Sequence, residues 1–220
     1  MKPDFRLYLI TDGTLAPDIE DAVEKALDGG VRAVQLREKA MPVRDLLELA
    51  FRLRVLTKSR SARLFINDRV DVALACGADG VHLGGQSIPP EAVRRIQAVG
   101  EIQGVRKIRG SGKRKRLMVG VSAHSVEQAA AAQRGGADFV TFGPVFETPS
   151  KKAYGAPLGL QKLREAASVL DIPLFAIGGI KSGNIKSVTE AGAYGAALIS
   201  GIFGADDIKG ETYKFMRTLE

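Results

Sequence analysis

The sequence predicts an α/β chain folded as one closed (β/α)8 TIM barrel spanning residues 1–220, with a basic insertion near 100–116. Three observations predict it. Strand-like and helix-like segments alternate along the whole chain. One phrase joining a helix end to the next strand recurs. The strands end, one after another, in polar residues. Short runs rich in Val, Ile, Leu and Phe near 6–11, 32–36, 63–67, 80–84, 117–122, 138–143, 173–178 and 195–200 read as strands buried on both sides. Amphipathic patterns fill the gaps. A helix over 42–58 carries Leu46, Leu47, Ala50, Leu53 and Leu56 on one face, and Pro89-Pro90 opens another helix. The recurring phrase is DGGVRAVQL, CGADGVHL, RGGADFVTF and AGAYGAALI. In each, glycine stops the helix in a left-handed turn and a short connection enters the next strand. The alternative, an open doubly wound sheet, is disfavoured: no G-x-G-x-x-G follows the first strand, and the polar strand ends spread over the whole chain.

Length and composition set the frame. The 220 residues fit one domain with a sizeable core, and 45% apolar with 26% charged residues is ordinary for a soluble globular chain. No apolar run reaches the ~18 residues of a membrane span, and the start, MKPDFRLYLITDG, lacks a signal-peptide pattern. Cys76, the lone cysteine, sits in an apolar helical pattern and reads as a buried structural thiol. These features point to the cytoplasm. The net charge of +7 equals the seven Arg and Lys of residues 106–116, RKIRGSGKRKR, so the rest of the chain balances. That segment reads as a solvated loop; steering of anionic substrates is the sharper reading. No aromatic residue interleaves its charges, so nucleic-acid binding by base stacking is not expected.

In a barrel all C-terminal strand ends meet on one face, where the active site sits. The polar strand ends therefore nominate site residues. Gly178-Gly179 and Ser200-Gly201 follow the seventh and eighth strands, where backbone N–H groups can approach phosphate closely. Gln35, Arg37 and Lys39 alternate to one side of an extended segment, with Glu38 on the other. A cation pair there suits a diphosphate. Asn67 and Asp68 precede a helix and are both favoured caps, and Asp68 equally suits a Mg²⁺ ligand. Residues 144–158 form a polar connection of lid length carrying Thr148, Ser150 and Lys151. His82, between Val81 and Leu83, reads as a satisfied core histidine. His124 either helps Ser125 cap a helix or transfers protons.

These motifs in their order resemble the thiamine phosphate synthase superfamily: YLITD, VQLREK, NDRVDVALACGADGVHLG, GVSAHS, ADFVTFGPVFETPSK, AIGGI and ALISGIF. The resemblance implies a barrel enzyme that joins hydroxymethylpyrimidine diphosphate to thiazole phosphate and releases pyrophosphate with Mg²⁺. It also implies two alternatives: a metal-independent TenI-type thiazole tautomerase, and a silent relative that binds a phosphorylated ligand. By resemblance Gln35, Arg37, Lys39, Asn67, Ser122 and Lys151 hold the pyrimidine diphosphate, and Asp68 binds Mg²⁺. Thr148, Ser150, Gly179, Ile199 and Ser200 surround the thiazole phosphate. Ser122, His124 and Lys151 are the candidate catalytic residues. Family synthases carry Gly-Gln-x-Asp after the fourth strand, the Asp being a second Mg²⁺ carboxylate; here Ser87 stands in that place. The expected partners are the small phosphorylated pyrimidine and thiazole substrates, with homo-oligomerisation left open.

Overall fold

Four glycines with positive φ set the repeat unit. Gly30 (φ 109°), Gly77 (66°), Gly136 (90°) and Gly192 (96°) each end a helix and turn the chain into a strand, as the repeated phrase predicts. A computed structural model describes residues 3–102, 116–148 and 156–219. The strands are β1 (Leu7–Ile10), β2 (Ala33–Leu36), β3 (Arg63–Asn67), β4 (Gly80–Leu83), β5 (Met118–Ala123), β6 (Phe139–Phe142), β7 (Leu174–Ile177) and β8 (Gly195–Leu198). Each pairs in parallel with the next, and β1 pairs with β8, closing the barrel. Between and after them lie α1 (Ile19–Asp28), α2 (Val43–Ser59), α3 (Val70–Cys76), α4 (Pro90–Ile102), α5 (Val126–Arg134), α6 (Gly159–Val169), α7 (Ile185–Glu190), α8 (Ser200–Phe203) and α9 (Ile208–Leu219). The expected insertion falls outside the described residues over 103–115.

Strand alternation separates two cores. Outward-facing Leu9, Val34, Leu64, Ile66, Val140 and Leu198 meet the helices. Inward-facing Tyr8, Phe65, Phe139 and Phe175, with Phe5 below them, fill the barrel with aromatic rings. The pairs pack edge-on, with centroids 5.2 Å apart for Tyr8–Phe65 and 5.6 Å for Phe65–Phe139. Such rings need small neighbours. A Cβ on Gly80 would lie 2.4 Å from the Phe65 ring, so glycine is obligatory there. On α2 the buried face is Leu46, Leu49, Ala50, Leu53 and Thr57. The predicted Leu47 and Leu56 flank that face, partly buried against the same core. Cys76 is buried as expected.

The repeated Gly-Ala-Asp phrase has a structural duty at the N-terminal end of the barrel. Asp79 and Asp138 each stand just before a strand. The Asp79 carboxylate accepts the Leu64 N–H (3.0 Å) and pairs with Arg54 at 2.7 Å. Asp138 accepts the Val119 N–H (2.8 Å) and pairs with Arg94 at 2.6 Å and Arg116 at 3.0 Å. Burial pushes the Asp138 carboxyl up, but the Val119 N–H and the two guanidinium groups outweigh it, so its pKa falls below the usual range. Arg116, read as part of a solvated basic loop, is instead a partner of this buried carboxylate.

Candidate active site

The barrel register decides which polar side chains face inward at the C-terminal end. Asn67 pairs with His82, His82 with Gly120, and Ser122 with Thr141. Gln35 aligns with Phe65, one layer lower. Parity then places Gln35, Asn67, His82, Ser122 and Thr141 on the interior side, above the aromatic rings. All of them but Asn67 join with Tyr8 in a connected chain. Gln35 Nε2 donates to the Tyr8 hydroxyl at 3.1 Å, and that hydroxyl lies 3.5 Å from His82 Nδ1. His82 Nε2 lies 3.0 Å from Ser122 Oγ, and Thr141 Oγ1 lies 3.4 Å from both. Among the described residues no buried polar side-chain atom lacks a partner. His82 is thus a satisfied core histidine, as predicted, yet it also touches a candidate catalytic residue. Burial, with the Arg37 charge adding to it, lowers its pKa to about 3, so it is neutral. Thr141 and Tyr8 were not singled out from the sequence. Their interior parity with Phe139 and Phe65 is the signal that would have found them.

Above this layer the strand ends carry the charged groups. β2 stops at Leu36, and the chain turns where Met41 N–H donates to Glu38 O at 3.2 Å. The alternation therefore holds for Gln35 and Arg37 but not for Lys39, which is exposed in the turn. Glu38 accepts from Thr11 Oγ1 (2.6 Å) and the Gly13 N–H (3.1 Å), tying the first loop to the second. Among the described residues neither Arg37 nor Lys39 is paired with a carboxylate.

Asp68 departs from the capping expectation. The residue flanking α3 is Arg69, and no side chain caps the helix. Asp68 has φ 63°, a left-handed conformation that is uncommon outside glycine. Its N–H donates to His82 O (2.8 Å), and Arg69 N–H reaches back over it to Asn67 O (2.7 Å). The tight turn leaves the Asp68 carboxylate accepting no hydrogen bond among the described residues. Aspartate is one of the few non-glycine residues that enters this region readily, which suits it to the turn. Ser87 is spent differently: its Oγ accepts the Gly84 N–H at 2.8 Å, closing a local turn.

His124 is not a cap. Ser125 caps α5, accepting the Gln128 N–H, and Gln128 Oε1 accepts the His124 N–H at 2.8 Å. His124 Nδ1 donates to the Gly143 carbonyl at 2.5 Å. That bond assigns the Nδ1–H tautomer and leaves Nε2 as the basic nitrogen.

Thr148 stands half-buried in the β6–α6 connection. Ser150 and Lys151 lie outside the described residues, as do the other residues of 149–155. The base of that loop is pinned. Val145 and Phe146 N–H groups donate to Ile177 and Gly178 carbonyls at 2.9 and 3.1 Å, and Leu158 N–H donates to Pro144 O at 2.8 Å. Gly179 (φ 64°) seats this loop, since a Cβ there would lie 2.4 Å from Glu147 O. Glycine at 179 therefore serves the fold as well as any phosphate. Its N–H finds no acceptor among the described residues. Ile199 packs over the aromatic rings, and Ser200 begins the short helix α8 after β8. Barrels often bind phosphate at this pairing of strand-seven loop and short extra helix.

Comparison with known proteins places this architecture. The family model described as thiamine monophosphate synthase matches residues 7–202. A thiamine-phosphate synthase of Halalkalibacterium halodurans is 41% identical over 219 residues, covering 99% of this chain and 96% of the relative. One of Pyrococcus furiosus is 37% identical over 220 residues, covering 100% and 97%. The solved thiamine phosphate pyrophosphorylase from Pyrococcus furiosus superposes with a TM-score of 0.84 at 36% identity, covering 98% of this chain and 95% of that one. With a family model spanning the barrel from β1 into α8, and relatives aligned along nearly their full lengths, the chain belongs to the thiamine monophosphate synthase family.

Proposed function

We propose that this protein is a thiamine-phosphate synthase: it joins the hydroxymethyl carbon of a pyrimidine diphosphate to the ring nitrogen of a thiazole phosphate and releases pyrophosphate. The observation that carries the reading is the Asp68 carboxylate, held in a left-handed turn on the same barrel face as Arg37 and Lys39, all three without a charged or hydrogen-bonding side-chain partner among the described residues. Full-length similarity to proteins of that name supports it. The C–O bond breaks with its electron pair leaving on the diphosphate. The resulting pyrimidine-stabilised cation is captured by the thiazole nitrogen lone pair. Such chemistry asks for neutralisation of the leaving group more than for a base. Arg37 and Lys39 supply positive charge, Ser122 an O–H, and Asn67 an amide; Lys151 would add a charge from the loop. The N–H groups near Gly179 and Ser200, with Thr148, Ser150 and Ile199, would receive the thiazole phosphate.

The donor set fits a substrate-held Mg²⁺. Among the described residues no cluster of three or more His, Cys, Asp or Glu could hold a metal alone. Mg²⁺ commonly takes one or two carboxylates with substrate phosphates and waters, so Asp68 would hold it together with the diphosphate. When bound, the ion neutralises charge developing on the departing diphosphate.

One feature favours a second activity on the same face. The fixed His124 tautomer presents Nε2 as a base, which suits thiazole tautomerisation. Turnover of both substrates separates the readings. Thiamine phosphate and pyrophosphate should form together, and only with Mg²⁺. Isomerisation of the thiazole without metal, and no coupling at any Mg²⁺ concentration, would reverse the assignment.

A further inference from the structure

We propose that His82 is a positioning residue: with Tyr8 and Gln35 it fixes the direction of the Ser122 hydroxyl, so that its hydrogen points to the anionic ligand. The inference rests on the reading that Ser122 faces the diphosphate. It follows from counting hydrogens along the buried chain. Gln35 Nε2 donates to the Tyr8 oxygen at 3.1 Å. Tyr8 lies among the rings of Phe5, Phe65, Phe139 and Phe175, and the acceptor within reach of its own hydrogen is His82 Nδ1 at 3.5 Å. A buried hydroxyl without an acceptor carries its full desolvation penalty, so the Tyr8 hydrogen belongs on that contact. Nδ1 is then the acceptor of a neutral imidazole, and the ring hydrogen sits on Nε2. Nε2–H donates to Ser122 Oγ at 3.0 Å, and Thr141 Oγ1 approaches the same oxygen at 3.4 Å. With its oxygen accepting from below, the Ser122 hydrogen is left to donate upward.

The opposite direction would need the Gln35 amide turned over, Nδ1–H donating to Tyr8, and Ser122 donating down into Nε2. Ser122 would then turn lone pairs toward an anion, which opposes binding. A further feature supports a built arrangement. A Cβ on Gly120 would lie 2.6 Å from His82 Nδ1 and 2.4 Å from the Phe139 ring, so β5 carries a glycine where the His82 ring needs room.

Imidazole ¹⁵N shifts of the native protein, assigned by His82→Gln, report the tautomer directly. The Nε2–H tautomer at pH 7.5 is the expected result; the Nδ1–H form or a doubly protonated ring overturns the proposal. Kinetics then test whether His82 acts through Ser122. His82→Leu should lower kcat/KM about tenfold, the order of one hydrogen bond to an ionised group. His82→Gln, which keeps an N–H near the Nε2 position, should recover most of that loss. In a Ser122→Ala background His82→Leu should cost no more than about twofold. A full His82→Leu effect without Ser122 contradicts the proposal. Unchanged turnover in Ser122→Ala alongside the Nε2–H tautomer would instead refute the diphosphate contact of Ser122 and leave only the hydrogen-bond direction standing.

Discussion

Asp68 and Asp138 sit at opposite ends of the same barrel and are treated in opposite ways. Asp138 is buried, accepts a backbone N–H and faces two guanidinium groups. Asp68 holds an unfavourable backbone angle and spends its carboxylate on no hydrogen bond among the described residues. At the N-terminal end Asp79 and Asp138 are both engaged by backbone N–H groups and guanidinium partners; at the C-terminal end Asp68, Arg37 and Lys39 have no oppositely charged partner among the described residues. This is the division of labour expected of a (β/α)8 enzyme, where one face stabilises and the other reacts.

The largest effect that could break this comparison is at Asp68. Asp68→Asn keeps a residue that tolerates the left-handed region but removes the charge. It should lower kcat/KM about 100-fold, the order of a lost electrostatic partner in a reacting site, while the melting temperature stays within about 2 °C of the native value. Matched loss of stability and activity would mean that Asp68 is structural. Asp138→Asn should do the reverse. It leaves Arg94 without its carboxylate partner and should cost about 2–3 kcal/mol in denaturant unfolding, toward the low end for a broken buried pair because Arg94 is partly exposed. Activity per folded molecule should hold.

His82 sharpens the comparison from the buried layer beneath the site. Its folded pKa of about 3 lies below the ordinary 6.5, so the unfolded chain binds the extra proton. The contribution is fully present above pH 6.5. It is lost as pH falls from 6.5 toward 3, by roughly tenfold in the folding equilibrium per unit. Unfolding curves of native protein and His82→Gln, compared between pH 7 and 5, should diverge by that slope. The smallest effect is at Ser87, whose hydroxyl closes a local turn. Ser87→Asp would offer a second carboxylate and should lower the Mg²⁺ concentration for half-maximal turnover severalfold with little change in kcat, since phosphates and waters supply the other ligands. No change in Mg²⁺ response would place residue 87 away from the metal.

Much of this was legible in the sequence because it rests on local chemistry. Apolar runs bounded by glycines needing positive φ specify the barrel, and the strand ends nominate its reactive face. What stayed hidden depends on register or on distant partners. His82 between two apolar neighbours looks like any core residue. Only strand pairing with Gly120 and the resulting approach to Ser122 give it another role. Asp68 before a helix looks like a cap, because the turn that gives it positive φ is set by its N–H bonding across to β4. Arg116 looks like one more charge in a basic run. Its partner Asp138 is 22 positions away and comes near only when β5 and β6 pair.

The division between the two faces is tested most directly by backbone amide shifts during titration of the native protein with Mg²⁺ and pyrophosphate, then with thiamine phosphate. Shifts confined to the strand-end loops around Asp68, Ser122, Gly179 and Ser200, with Asp79, Val119 and Asp138 unmoved, are the predicted result. Saturable shifts centred on Asp79 and Asp138, with the Asp68 turn unmoved, would contradict the account.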